Sequence, residues 1–226
     1  MNYNKLEYFV SQPRLDKFLV ATGNSKGKAQ KLYRTNLRLA QAYYPIISLF
    51  EIFFRNALYK HVDAYFANPD WILHEKNRFM SDPSLRQSRF WLKQCVQSAE
   101  TSIVRKGSVV TSGKIIAEQT FGFWTSLFEP HHYRLIGGSA IHCFAYKPNN
   151  VNRSNIAVKL NAIREFRNRI YHNEPICFNN GAIDFSLTQN IKSTIYELLQ
   201  WIDPDLKEYV EYFDNIDAKI NDGMTI

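Results

Sequence analysis

Residues 154–172 read SNIAVKLNAIREFRNRIYH. At 100° per residue, Ile156, Leu160, Ile163 and Ile170 fall within about 80° of arc, which is the apolar stripe of an amphipathic helix. Ser154 offers an N-cap hydroxyl, and Pro175 ends the helix by restricting Glu174. Arg167 falls inside the stripe. A charge there is costly unless paired, so a carboxylate partner or an anionic ligand is implied.

Outward from this segment the same period dominates. The stretch Ile46 to Phe66 is apolar on almost every side, as in a helix buried between neighbours, with Pro45 either in its first turn or kinking a longer helix. Helices are expected over Lys28 to Ala42, Asp82 to Lys106 and Leu187 to Ile202, the last broken by Asp203-Pro204. Alternation of period two is scarce. Only Cys177 to Phe185, with Asn179-Asn180-Gly181 inside it, has the composition of a small hairpin. The pattern predicts one mainly all-α domain over 1–226: a helical bundle over 28–226 with residues 1–27 as an N-terminal appendage.

The composition supports a folded chain. Apolar residues make up 45% of 226 and aromatics 15%, enough to bury a substantial core. The longest apolar stretch, Tyr43 to Phe54, is interrupted by Glu51 and is shorter than the roughly 20 residues of a membrane span. Cys95, Cys143 and Cys177 are widely spaced and odd in number, which suits reduced thiols and a cytoplasmic setting, without a zinc or disulfide framework. The net charge is +7, and it is uneven: residues 1–60 hold 10 Lys/Arg against 3 Asp/Glu, whereas residues 151–226 hold 8 against 11. A basic front suits a polyanionic partner, since each cation near a phosphate releases condensed counterions. A merely soluble basic surface would have the same composition.

Several chemistries lack their signatures. No G-x-G-x-x-G and no G-x-x-x-x-G-K-[ST] occurs, so no phosphate-cradling loop is expected. His131-His132, with Glu129 and His142, is the densest histidine group, but adjacent residues diverge in direction and no H-E-x-x-H or C-x-x-C accompanies them. Neither a metal nor a cofactor is expected.

The end of the quoted helix does carry reactive groups. Asn161, Asn168 and His172 share a polar strip next to the apolar stripe, because Asn168 and His172 are four residues apart. His172 sits in the last turn, at the end of the helix dipole that attracts positive charge. Imidazole, guanidinium and amide together suit acid–base work on a phosphate ester. The spacing alone is weak: with 13 Arg and 6 His, chance gives about one Arg followed by His after four to six residues. Two occur, the second being Arg55 and His61 on the apolar helix, where Glu51 and Arg55 are also spaced as an (i, i+4) pair. A structural histidine at a helix end fits the same residues.

The string FRNRIYHNEPI, residues 166–176, resembles the signature of the bacterial Abi-like (abortive infection) proteins of the HEPN superfamily: an Arg, a polar residue and a His near the end of a long helix, then a loop opening with an acidic-Pro pair. Further blocks are similar to that family's. They are Lys5-Leu6-Glu7 with Ser11-Gln12-Pro13-Arg14-Leu15, Lys31-Leu32-Tyr33-Arg34-Thr35-Asn36, Leu49-Phe50-Glu51 with Phe54-Arg55-Asn56-Ala57-Leu58, and Gly113-Lys114-Ile115-Ile116-Ala117-Glu118 with Thr120-Phe121-Gly122-Phe123-Trp124. Tyr171 and Asn173 stand where small residues or a second His are common.

The resemblance implies a HEPN helical bundle that dimerises so that two Arg/His motifs form one composite site. It implies metal-independent RNA cleavage, in which the 2′-hydroxyl attacks the adjacent phosphate, within a phage-defence or toxin–antitoxin system. Arg167 would then stabilise phosphate charge, His172 act as general acid and base, and Asn168 orient. Lys28, Lys31, Arg34, Arg38, Arg164 and Arg169 would hold RNA, as substrate or antitoxin, while Glu51, Arg55 and Asn56 would form a supporting buried pair and its neighbour. Two other readings keep the same residues: a non-catalytic RNA-binding or RNP scaffold protein, and a structural interaction module.

Overall fold

The computed structural model describes residues 1–226. The chain is all-α: 73% is helical, and the one sheet has two short strands. In order, the helices are α1 (Tyr3–Val10), α2 (Gln12–Ala21), α3 (Lys26–Phe66), α4 (Trp71–His74), α5 (Trp91–Arg105), α6 (Ser112–Glu118), α7 (Phe121–Ser126), α8 (Pro130–Leu135) and α9 (Arg153–Tyr171). The hairpin β1 (Phe178–Asn179) and β2 (Ala182–Ile183) follows, then α10 (Ser186–Ile202), α11 (Pro204–Glu211) and α12 (Ile216–Met224). No helix is long and apolar enough to cross a membrane.

Where the sequence pattern predicts one bundle, the chain divides into two compact units. The first comprises Met1–Phe50, Glu165–Glu197 and Lys207–Ile226; the second comprises Glu51–Arg164 and Leu198–Leu206. Residues 1–27 are not an appendage. Leu15 and Phe18 of α2 are fully buried in the first unit, and Phe18 meets Tyr33 edge-on at 5.3 Å and Phe178 at 5.1 Å. The same core holds Tyr43, whose ring stands edge-on to Phe166 at 4.8 Å and whose hydroxyl donates to the Thr188 carbonyl. Lys192 closes this unit at its far end, with Nζ 2.7 Å from Asp214 and from Asp217, while the Tyr196 hydroxyl donates to Asp214 at 2.8 Å.

The second unit has an aromatic core. Phe66, Trp71 and Phe79 stack in sequence, Phe66 against Phe79 at 5.5 Å and 17°, and Phe54 lies among Phe121, Phe128 and Phe144. Such rings bury the largest apolar areas per residue, which is why short helices suffice here.

The helix expectations are refined in detail. Pro45 lies inside one continuous α3, the longer-helix alternative rather than the first turn of a new helix. The segment 46–66 is not buried all round: Ile47, Phe50, Phe54, Leu58 and Val62 form one stripe, whereas Ile52 and Tyr65 are exposed. The helix expected from Asp82 begins only at Trp91, because Asp82 caps the Ser84 amide before Pro83-initiated 3₁₀ turns and Arg89 and Phe90 both take left-handed backbone conformations.

Candidate active site and nucleic-acid interface

α9 ends in a Schellman motif. The Asn173 amide donates to the Ile170 carbonyl at 3.0 Å and the Glu174 amide to the Arg169 carbonyl at 2.8 Å, with Asn173 left-handed at φ +53°. Asparagine tolerates that conformation, so the helix stops at Tyr171, four residues before Pro175, instead of being cut by it. His172 is thereby the C-cap residue. Its amide still bonds to the Asn168 carbonyl at 2.9 Å, while its imidazole is exposed and takes no hydrogen bond from the rest of the chain.

The other residues of the motif separate by angle. Asn168 is exposed on the side of His172. Arg167 is half-buried, with its guanidinium carbon 4.1 Å from the centroid of the Tyr171 ring, a cation–π arrangement. Phe166, not Ile170, completes the buried stripe with Ile156, Leu160 and Ile163; Ile170 is half-buried in the last turn. Arg169 is committed locally: Nη2 donates to the Pro175 carbonyl at 2.5 Å and Nε lies 3.7 Å from Glu174. It braces the turn, so an RNA group could meet only its remaining N–H donors.

A second anchor holds the segment after the turn. Asn36, 2% exposed on α3, accepts the Ile176 amide at 2.8 Å. Its importance was signalled only by a polar side chain at a core position, between buried Leu32 and Leu39.

Lys28, Lys31, Arg34 and Arg38 are all exposed in the first unit. At 100° and 1.5 Å per residue they line one side of α3 over roughly 15 Å. None of the four has a carboxylate partner, so the stripe is available to a polyanion. Arg164, half-buried, belongs to the second unit, as do Glu51, Arg55 and Asn56. The expected buried pair is not formed as read: Glu51 and Arg55 are half-buried, Asn56 is exposed, and Arg55 Nε donates to Asn56 Oδ1 at 3.2 Å rather than reaching back to Glu51. The buried stripe through Phe54 and Leu58 turns Asn56 to the opposite side, and Arg55 follows it.

The histidine group in the second unit is a core feature. His131 and His132 have ring centroids 4.1 Å apart, His132 is 1% exposed, and its Nδ1 is 2.8 Å from the Ser126 carbonyl. Burial, with His131 adding to it, pushes the His132 titration down to about 4. His142 lies instead 6.5 Å from His61, and no three His, Cys, Asp or Glu side chains converge as a metal site. Burial also pushes the Cys95 thiol up to about 11 and Cys177 up to about 12, and Cys143 is raised as well, so none is a poised nucleophile.

Comparison of the chain with protein families, with curated proteins and with solved structures finds no match.

Proposed function

We propose that the protein is a metal-independent endoribonuclease of the Abi-like HEPN kind, acting in phage defence or as a toxin. The observation that carries this reading is the exposed imidazole of His172 at the cap of α9, free of internal hydrogen bonds and followed by a braced turn. A proton-transfer group must be accessible, as this one is, and its backbone is held by the cap of α9. Arg167, a turn earlier and stacked on Tyr171, supplies positive charge for the phosphorus oxygens, Asn168 an orienting amide, and the α3 stripe a hold on the RNA backbone. Displacement by a neighbouring 2′-hydroxyl needs no more than an acid, a base and charge neutralisation.

Arg167 and His172 lie about 140° apart around the helix, so one copy presents them poorly to a single phosphate. A two-fold axis beside the end of α9 would bring a second His172 and Arg167, giving acid and base on opposite sides of the scissile bond. The test is incubation of labelled single-stranded and structured RNA with the protein in EDTA, for wild type, His172→Ala and Arg167→Ala, and for mixtures of wild type with His172→Ala. The reading expects cleavage by wild type alone and a loss in mixtures out of proportion to the mutant fraction. Cleavage that survives His172→Ala overturns the assignment. Proportional loss together with a monomeric mass overturns the shared site. Binding without cleavage across varied RNAs would favour the scaffold reading, which the α3 stripe also fits because it needs no reactive group.

A further inference from the structure

A half-open cavity of about 520 Å³ lies beside the end of α9, within the roughly 300–1,000 Å³ of small-molecule sites. Three segments of the first unit build its wall: α2 supplies Asp16, Lys17 and Val20, the Schellman turn supplies Arg169 and Glu174, and the hairpin supplies Phe178. The hairpin turn is Asn180-Gly181 with both φ values positive, a tight two-residue connection that fixes where Phe178 stands.

The chemistry of the wall is selective. Phe178 is half-buried and packed at 5.1 Å on Phe18, so it offers a fixed apolar ring. Val20, 71% exposed, leaves an aliphatic side chain at the mouth. Arg169 is held in place by the Pro175 carbonyl, and a guanidinium with five N–H groups keeps donors to spare. Asp16 and Glu174 bring two carboxylates, of which Glu174 already lies 3.7 Å from Arg169 Nε, while Lys17 adds an exposed ammonium, so Asp16 is the carboxylate left to face a ligand's donors. A matching ligand is planar and apolar on its faces, with two adjacent acceptors on one edge and two adjacent donors on another.

We propose that this cavity is a guanine-binding subsite that seats an unpaired guanine of the RNA. Guanine presents O6 and N7 as the acceptor pair that arginine reads in parallel, and N1–H and N2–H as a donor pair for a carboxylate. Adenine places an amino donor beside N7 and an acceptor at N1, so it meets the guanidinium and the carboxylate with the wrong signs. Unpaired RNA bases are characteristically splayed out and stacked on aromatic side chains, and Phe178 provides that surface. Glu174 lies two residues from His172, so an occupied cavity would set the register of the strand at the cleavage site. That register rests on the ribonuclease reading; the base recognition does not.

Calorimetric titration of the full chain with GMP, AMP, CMP and UMP tests the inference, beside 2′-O-methyl heptamers that carry a single G or, at the same place, an A. GMP is expected to bind saturably and at least about tenfold more tightly than AMP. The G heptamer should outbind its A counterpart and compete with GMP. Asp16→Asn and Phe178→Leu should each weaken GMP about tenfold with an unchanged circular dichroism spectrum. Equal binding of the four nucleotides, no binding, or binding untouched by both variants overturns the proposal. GMP binding with no preference between heptamers overturns the RNA strand as the source in favour of a free guanosine nucleotide. RNA cleaved without base preference and without GMP binding sinks the cavity alone, whereas GMP bound and no RNA cleaved supports the cavity and sinks the ribonuclease reading.

Discussion

Lowering the pH from 8 to 5 should cost the protein stability chiefly through the buried imidazole of His132, with His61, which burial and His142 also push down, acting in the same direction. The ring is buried in the second unit, its Nδ1 faces the Ser126 carbonyl, and burial lowers its titration from 6.5 to about 4. In the unfolded chain it takes up a proton near 6.5, whereas the folded state resists protonation until about 4. The stability is therefore complete above pH 6.5 and is lost as the pH falls towards 4. At pH 5 the unfolded imidazole lies 1.5 units below its midpoint, and at 1.36 kcal/mol per unit the loss is about 2 kcal/mol. Carboxylates interfere little in this window, because the stability contributed by Asp82, Glu118, Asp184 and Asp214, all held below their ordinary values, is lost mainly once the pH falls below the ordinary carboxylate range of about 4. His132→Asn keeps a donor towards Ser126 and removes the titration. Urea unfolding followed by tryptophan fluorescence suits the assay, since all four tryptophans belong to the second unit. Wild type should lose about 2 kcal/mol more than His132→Asn between pH 8 and 5. Equal losses would falsify the claim that His132 is a neutral core histidine.

Replacing Lys28, Lys31, Arg34 and Arg38 together by Ala should weaken single-stranded RNA binding and flatten its dependence on salt by about 3 in the log–log slope, at 0.7 per phosphate contact, as read by fluorescence anisotropy. An unchanged slope would remove the stripe from the interface. Asn36→Ala strands the buried Ile176 amide and should cost about 1–3 kcal/mol in thermal or urea unfolding, with RNA cleavage reduced because the segment after His172 loosens. Lys192→Met leaves Asp214 and Asp217 facing each other without their shared cation. Against the raising effect of burial, Lys192 now holds Asp214 below the carboxylate range, so the variant should be destabilised at pH 8 and recover part of the loss at pH 4, where protonation relieves Asp214. A variant equally destabilised at both pH values would show that packing, not charge, carries the effect.

What the sequence makes legible here is local. The end points of α9 and α10 follow the apolar period and the punctuating residues to within a residue, and the Asn-Gly turn marks the hairpin. What escapes is set by distant partners or by irregular backbone. The 3₁₀ turns before α5 depend on Pro83 and on left-handed Arg89 and Phe90, which no periodicity encodes. The integration of α2 depends on Phe18 meeting Phe178, and the cavity depends on Asp16 and Glu174 lining the same space, pairs separated by about 160 residues of sequence. The resemblance to Abi-like proteins singles out residues 166–176, but only the folded chain separates the roles proposed for them.

Those roles follow from one angle. Arg167 and Arg169 are two residues apart, so about 200° of helix turn separates them and they cannot serve the same ligand. Arg167 stays against Tyr171, on the same helix as the exposed His172. Arg169 turns the other way, to the Pro175 carbonyl and into the cavity wall. The left-handed Asn173 between His172 and Glu174 then sends the chain back past Arg169, so that the exposed imidazole and the candidate base subsite are two ends of one capping motif. A substitution that alters the cap should therefore act on the proposed cleavage and the proposed base recognition together, whereas one confined to Asp16 or Phe178 should act on recognition alone.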